Sequence, residues 1–169
     1  SAASDVYKRQ QNNCWTKDFL EFMGTDPLFR KGEYDKLTYG MLYNYGEDFM
    51  LSLNHDDFRE KAFVDMVSGS DEKAHLSDIK AALGFMYAHP GSKMFAAGQD
   101  AGLEKFMSEL NKFYAKNAAL YELDNDPDGF MWLENSNPEE TVIAMQRADS
   151  KGNKPVSYTH LTLPTNSRV

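Results

Sequence analysis

The sequence predicts an α/β fold in which two parallel βα units are followed by the start of an antiparallel β domain. Three observations carry that expectation. Phe49, Leu51 and Leu53 alternate with Met50 and Ser52, the period-two pattern of a strand packed on at least one face. Two stripes at helical spacing follow it: Leu76, Ile79, Leu83, Met86 and Tyr87, then Leu103, Phe106, Met107, Leu110, Phe113 and Tyr114. Between them lies the short apolar run Lys93–Ala97, and strand–helix–strand–helix is the grammar of parallel units. After Tyr121 the pattern changes to two short strands, Phe130–Leu133 and Thr141–Met145, joined by polar residues Glu134–Glu140.

Taken in order, Trp15, Phe19, Phe22 and Met23 form a short amphipathic helix that Asp26-Pro27 breaks. Arg30-Lys31-Gly32 reads as a polar surface turn. Leu37, Met41, Leu42 and Tyr45 fit a further helix, weakened by Gly40. Ser68-Gly69-Ser70-Asp71 supplies a capping turn for the first long stripe, and His89-Pro90-Gly91 ends it. Gly98-Gln99-Asp100 closes the second strand.

Composition narrows the function. The chain has 169 residues, 41% hydrophobic, enough for one ordinary domain. Its net charge of −8 argues against a nucleic-acid surface and repels anionic membranes, yet leaves an uncharged substrate such as a sugar polymer unhindered. No apolar run is long enough for a membrane helix. A single cysteine, Cys14, builds no disulfide framework, so a reducing compartment, the cytoplasm, is expected.

Chemistry concentrates at Asn54-His55-Asp56-Asp57. A buried strand that stops there sets an imidazole and a carboxylate at the rim of a sheet, where α/β enzymes keep their reacting groups. Taken alone, His-Asp after a strand is more commonly a loop start with a capping aspartate. Asp124, Asp126, Asp128 and Gly129 match the opening of a calcium loop, but the twelfth position is Asn135, and an acidic surface turn is the expectation. His75 and His89 flank one helix and read as cap or surface residues, so no metal site is expected. Cys14 has no recognisable base partner.

The two ends look foreign. Back-translated with suitable codons, Ser1–Gln10 gives a strand whose reverse complement, in another frame, reads as Val156–Thr165. Residues 1–10 and 155–169 are therefore set aside as adapter-like and non-native, and the chain is expected to be a fragment.

Several interior blocks resemble one family, the glycogen (1,4-alpha-glucan) branching enzymes of the alpha-amylase superfamily. They are Trp15–Lys31, Lys36–Tyr45, Glu47–Asp57, Ala82–Gln99 and Leu120–Trp132, in the family's order. The resemblance implies the C-terminal portion of a (β/α)8 barrel, about its last two βα units, over residues 11–120. The start of a C-terminal β domain would then occupy residues 121–154. It implies a retaining double displacement that breaks an α-1,4-glucan and forms an α-1,6 branch without metal or cofactor. By motif, Asp56 would be the carboxylate that stabilises the transition state, and His55 would bind sugar hydroxyls. The family's nucleophile and acid/base have no counterpart in these residues, so the isolated chain is expected to be inactive.

The chain departs from the family in two places. The corner His55-Asp56-Asp57-Phe58-Arg59-Glu60-Lys61 is shorter than usual and lacks the glutamate after Asp56, and Gly98 runs directly toward the helix at Leu103. Two other readings stay open: a hydrolase of the same superfamily, and a non-catalytic glucan-binding protein using Trp15 or Trp132, whose more ordinary role is core packing. The partner in every case is an α-glucan. Oligomeric state is not legible.

Overall fold

The computed structural model describes residues 10–38, 49–52, 67, 72–95, 102–154 and 156–160. It is a mixed helix-and-strand fold in which the described residues form two three-stranded sheets. The first sheet is parallel and comprises β1 (Gln10–Gln11), β2 (Phe49–Ser52) and β3 (Ser92–Met94) in that order. Helix α1 (Asn13–Gly24) lies between β1 and β2 in the chain, α2 (Glu72–Ala88) lies between β2 and β3, and α3 (Glu104–Lys116) follows β3. The second sheet is antiparallel, with β5 (Val142–Arg147) between β4 (Phe130–Asn137) and β6 (Val156–His160).

Local chemistry explains the elements. Asn12 caps α1 by accepting the Trp15 amide at 3.0 Å, and Trp15, Phe19, Phe22 and Met23 are buried as their spacing predicts. The helix ends before Asp26-Pro27, because a residue preceding proline is pushed out of the helical region. Helix α2 ends before His89-Pro90-Gly91, where Gly91 takes φ 106°, a conformation open to glycine. Leu103, just before α3, and Met107 within it are buried, and Phe106, Leu110 and Tyr114 pack against the core, whereas Phe113 of the expected stripe is exposed. Leu76 is likewise exposed on α2.

Three expectations are revised by the structure. The parallel sheet has a third strand, β1, ahead of the two expected. Residues Arg30–Leu37 form a 3-10 helix rather than a surface turn, and Arg30 is wholly buried. Its Nε donates to Thr25 O at 3.0 Å and its Nη2 to Met23 O at 3.0 Å, which satisfies carbonyls at and just beyond the end of α1. Its Nη2 also lies 2.8 Å from Asp78 Oδ2 on α2. One guanidinium thus ties α1 to α2. The strand expected at Phe130–Leu133 extends to Asn137, since among the described residues β4 pairs on one side and its outward positions face solvent, where polar residues cost little. β6 falls in the segment set aside as adapter-like. Its pairing with β5 uses backbone groups that nearly any sequence offers an edge, and it is neutral about that segment's origin.

The two sheets share one core. Phe130, Ile143 and Met145 of the antiparallel sheet belong to the same buried cluster as Trp15, Phe19, Phe22, Leu51, Leu83, Phe85 and Met86. Tyr34 pins the β4–β5 hairpin to the 3-10 helix: its hydroxyl donates to Val142 O at 2.8 Å and accepts from the Asn137 amide at 3.3 Å. Among the described residues, no helix is long and apolar enough to cross a membrane.

Replacing Asp78 with alanine removes an anionic partner of the buried Arg30 guanidinium. Urea unfolding is expected to show a loss of about 3–5 kcal/mol, most of it recovered in Arg30→Met/Asp78→Leu, which removes both charges of the pair.

Candidate functional site

The sequence-derived site residues, His55 and Asp56, lie outside the described residues, as do Asp57 and the segment Gly98 to Asp100. The structure does describe the frame that precedes them. β2 is the central strand of the parallel sheet, and Ser52 pairs in register with Met94 while Met50 pairs with Gln11. The three strands therefore run the same way, and their carboxyl ends share one edge. Leu51, inside β2, is completely buried. In chain order, His55 follows the end of β2 by three residues and Asp56 by four. Carboxyl ends of parallel strands are where α/β folds place ligands, because loops there are free to vary over a rigid sheet.

A second polar group, which the sequence reading missed, gathers where α2 ends and β3 begins. His89 is fully buried rather than a cap or surface residue. Its Nδ1 lies 2.9 Å from Phe85 O, an acceptor only, so Nδ1 carries the proton. The ring is enclosed by Trp15, Phe85, Phe130 and Trp132. Burial drives its pKa down to about 3; the Phe85 bond opposes this, and the positive charges of Lys93 and Arg147 add to it. Trp15 Nε1 and His89 Nε2 are both buried without a hydrogen-bond partner among the described residues.

Lys93 extends its ammonium back over the turn, donating to His89 O at 2.5 Å and also to Gly91 O, with the Tyr114 ring 5.4 Å away. Enclosure of the amine lowers its pKa to about 7, against the opposing pull of Asp124 and with help from Arg147. With Tyr87, Ser92, Asn111 and Tyr114 it lines an open pocket of about 290 Å³. Tyr87 Oη donates to Asn111 Oδ1 at 2.6 Å, so much of that lining is already self-satisfied. An amine poised near neutrality can act as a base, but two carbonyls hold this one as a strap across the end of α2. A lysine soon after a helix-ending glycine was the available sequence signal.

Arg147 completes the group. It donates to Gly129 O at 3.0 Å, to Ala88 O at 3.1 Å and to Asp124 Oδ1 at 2.5 Å. The acidic turn therefore has an internal use. Asp124 neutralises a buried arginine, and Asp126 accepts the Asp128 amide at 2.9 Å. Gly129 is required by contact: a Cβ there would lie 2.1 Å from Leu123 O. Among the described residues, no cluster of three or more His, Cys, Asp or Glu could hold a metal ion. Cys14 is exposed. Trp15 is core, and Trp132 is half-buried against it.

A scan of known protein families finds none that matches this chain.

Gly129→Ala is expected to cost about 2–3 kcal/mol, because the backbone of Leu123 must move to admit the methyl group. Millimolar calcium should leave the thermal midpoint of the unmodified chain unchanged, since Asp124 is already committed to Arg147. Calorimetry of both proteins, with and without the ion, checks the pair of statements.

Proposed function

We propose that this chain derives from a 1,4-alpha-glucan branching enzyme and carries the last βα units of its (β/α)8 barrel and the start of its C-terminal β domain. The observation that supports this most is the combination at β2. A central parallel strand is followed, past its carboxyl end, by His55-Asp56, and the next parallel strand arrives through one helix. The switch to antiparallel pairing after Tyr121 fits the same reading, as does the order of the blocks that resemble the family.

In this reading a glucan lies over the carboxyl edge of the parallel sheet. Asp56 stays ionised and faces the positive charge that develops on the sugar as the α-1,4 bond breaks, an interaction stronger in the transition state than with neutral substrate. His55 holds sugar hydroxyls and keeps the ring in register. The nucleophilic aspartate and the glutamate acid/base come from strands with no counterpart here, and a second glucan's 6-hydroxyl receives the transferred piece. No metal or organic cofactor takes part. A neutral substrate suits the acidic surface, and a reduced, exposed Cys14 suits the cytoplasm. Burial of Trp15 removes one of the two aromatic platforms that a purely glucan-binding protein would use.

The test uses amylose as substrate and enzymatic debranching to count new α-1,6 linkages. The chain by itself should form none, because one carboxylate does not replace three acting as a unit. A longer polypeptide that supplies the two upstream carboxylates should form them, and Asp56→Asn in it should lower kcat about a hundred- to a thousandfold. Release of short linear sugars without branching would instead identify a hydrolase.

A further inference from the structure

We propose that His89 is an acid-sensitive latch between the helical layer and the antiparallel sheet: protonation of its imidazole opens the seam between α1–α2 and β4–β5. Three elements meet on this one ring. Trp15 reaches it from α1 with ring centroids 5.8 Å apart, Phe85 from α2 at 4.1 Å, and Phe130 and Trp132 from β4 at 6.3 and 5.8 Å. With Nδ1 donating to Phe85 O, the bare Nε2 is the site that takes up a proton. It is buried and has no acceptor among the described residues.

The charges around it oppose protonation. Lys93, on β3, donates to the carbonyl of His89 itself, and Arg147, on β5, donates to Ala88 O. Asp124, the nearby acid, is bonded to Arg147. The faces contributed by α1, α2 and β4 are the uncharged Trp15, Phe85, Phe130 and Trp132. Burial holds the closed form's pKa near 3, whereas an imidazole released to water titrates near its ordinary 6.5. The closed form is therefore neutral across that interval while the open form binds a proton. Above about pH 6.5 the latch is fully engaged. Below it, each unit fall in pH raises the ratio of open to closed about tenfold.

The chain's two tryptophans, Trp15 and Trp132, both touch His89, so their emission reports the seam directly. The experiment takes the full chain from about pH 7.5 to about pH 5, above the range where ordinary carboxylates titrate. It records tryptophan emission and amide-exchange protection, corrected for intrinsic exchange. The expected result is a loss of protection in β5 of about tenfold per pH unit below 6.5, together with a change in emission, while the amides of α2 keep theirs. His89→Gln and His89→Phe should abolish the slope. Three results overturn the latch: pH-independent protection in β5, an equal loss in α2, or an unchanged slope in a variant. If neither variant folds, the difference between β5 and α2 in the unmodified chain decides the matter alone.

Discussion

The rest of the structure depends on covering the second half of α2 from both sides. Ala82, Leu83, Phe85 and Met86 are each at most 1% exposed, which no single sheet or helix can achieve for a helix apolar on opposite faces. Residues of α1 and β2 join them in one cluster with residues of β4 and β5. Burying a Phe, Leu or Met side chain contributes about 1.5–3 kcal/mol, so this helix accounts for a large part of the driving force for folding. The two sheets, of opposite pairing, consequently share a core.

Two buried arginines flank that helix. Arg30 reaches Asp78 in its middle and the last carbonyls of α1; Arg147 reaches Ala88 at its end and Asp124 beyond. Each fixes the position of a neighbouring element by bonds whose geometry a guanidinium imposes and an ammonium does not. Buried pairs of this kind add little net stability compared with apolar replacements, but they strongly disfavour any packing that leaves one partner alone. His89, just past Ala88, is enclosed by four aromatic rings. The polar chemistry of the described residues thus serves assembly, whereas the chemistry proposed for catalysis belongs to the corner that follows β2.

How much of this was legible follows from what leaves a periodic trace. The stripes through Phe19, Leu83 and Met107 and the alternation around Leu51 repeat at the spacing of their elements, and the structure contains α1, α2, α3 and β2 where they indicate. Proline and glycine at Pro27 and Gly91 marked helix ends through backbone sterics alone. Arg30, His89 and Arg147 left no such trace. Each is a polar residue whose burial depends on a partner distant in the sequence, and local pattern assigns such residues to the surface. Glu134 to Asn137 misled for the related reason that a strand paired on one side tolerates polar residues. The candidate site stands apart from these: His55 and Asp56 were singled out by their place after a strand and by resemblance, and what the described residues supply is the parallel sheet that precedes them.

A crystallographic determination of residues 53–57 tests the central claim most directly. The account predicts that His55 and Asp56 emerge at the carboxyl end of β2, along the edge shared with Asn12 and Phe95, with the Asp56 carboxylate open toward solvent. An Asp56 enclosed within the fold and neutralised there by a buried cation, as Asp78 is by Arg30, would contradict it.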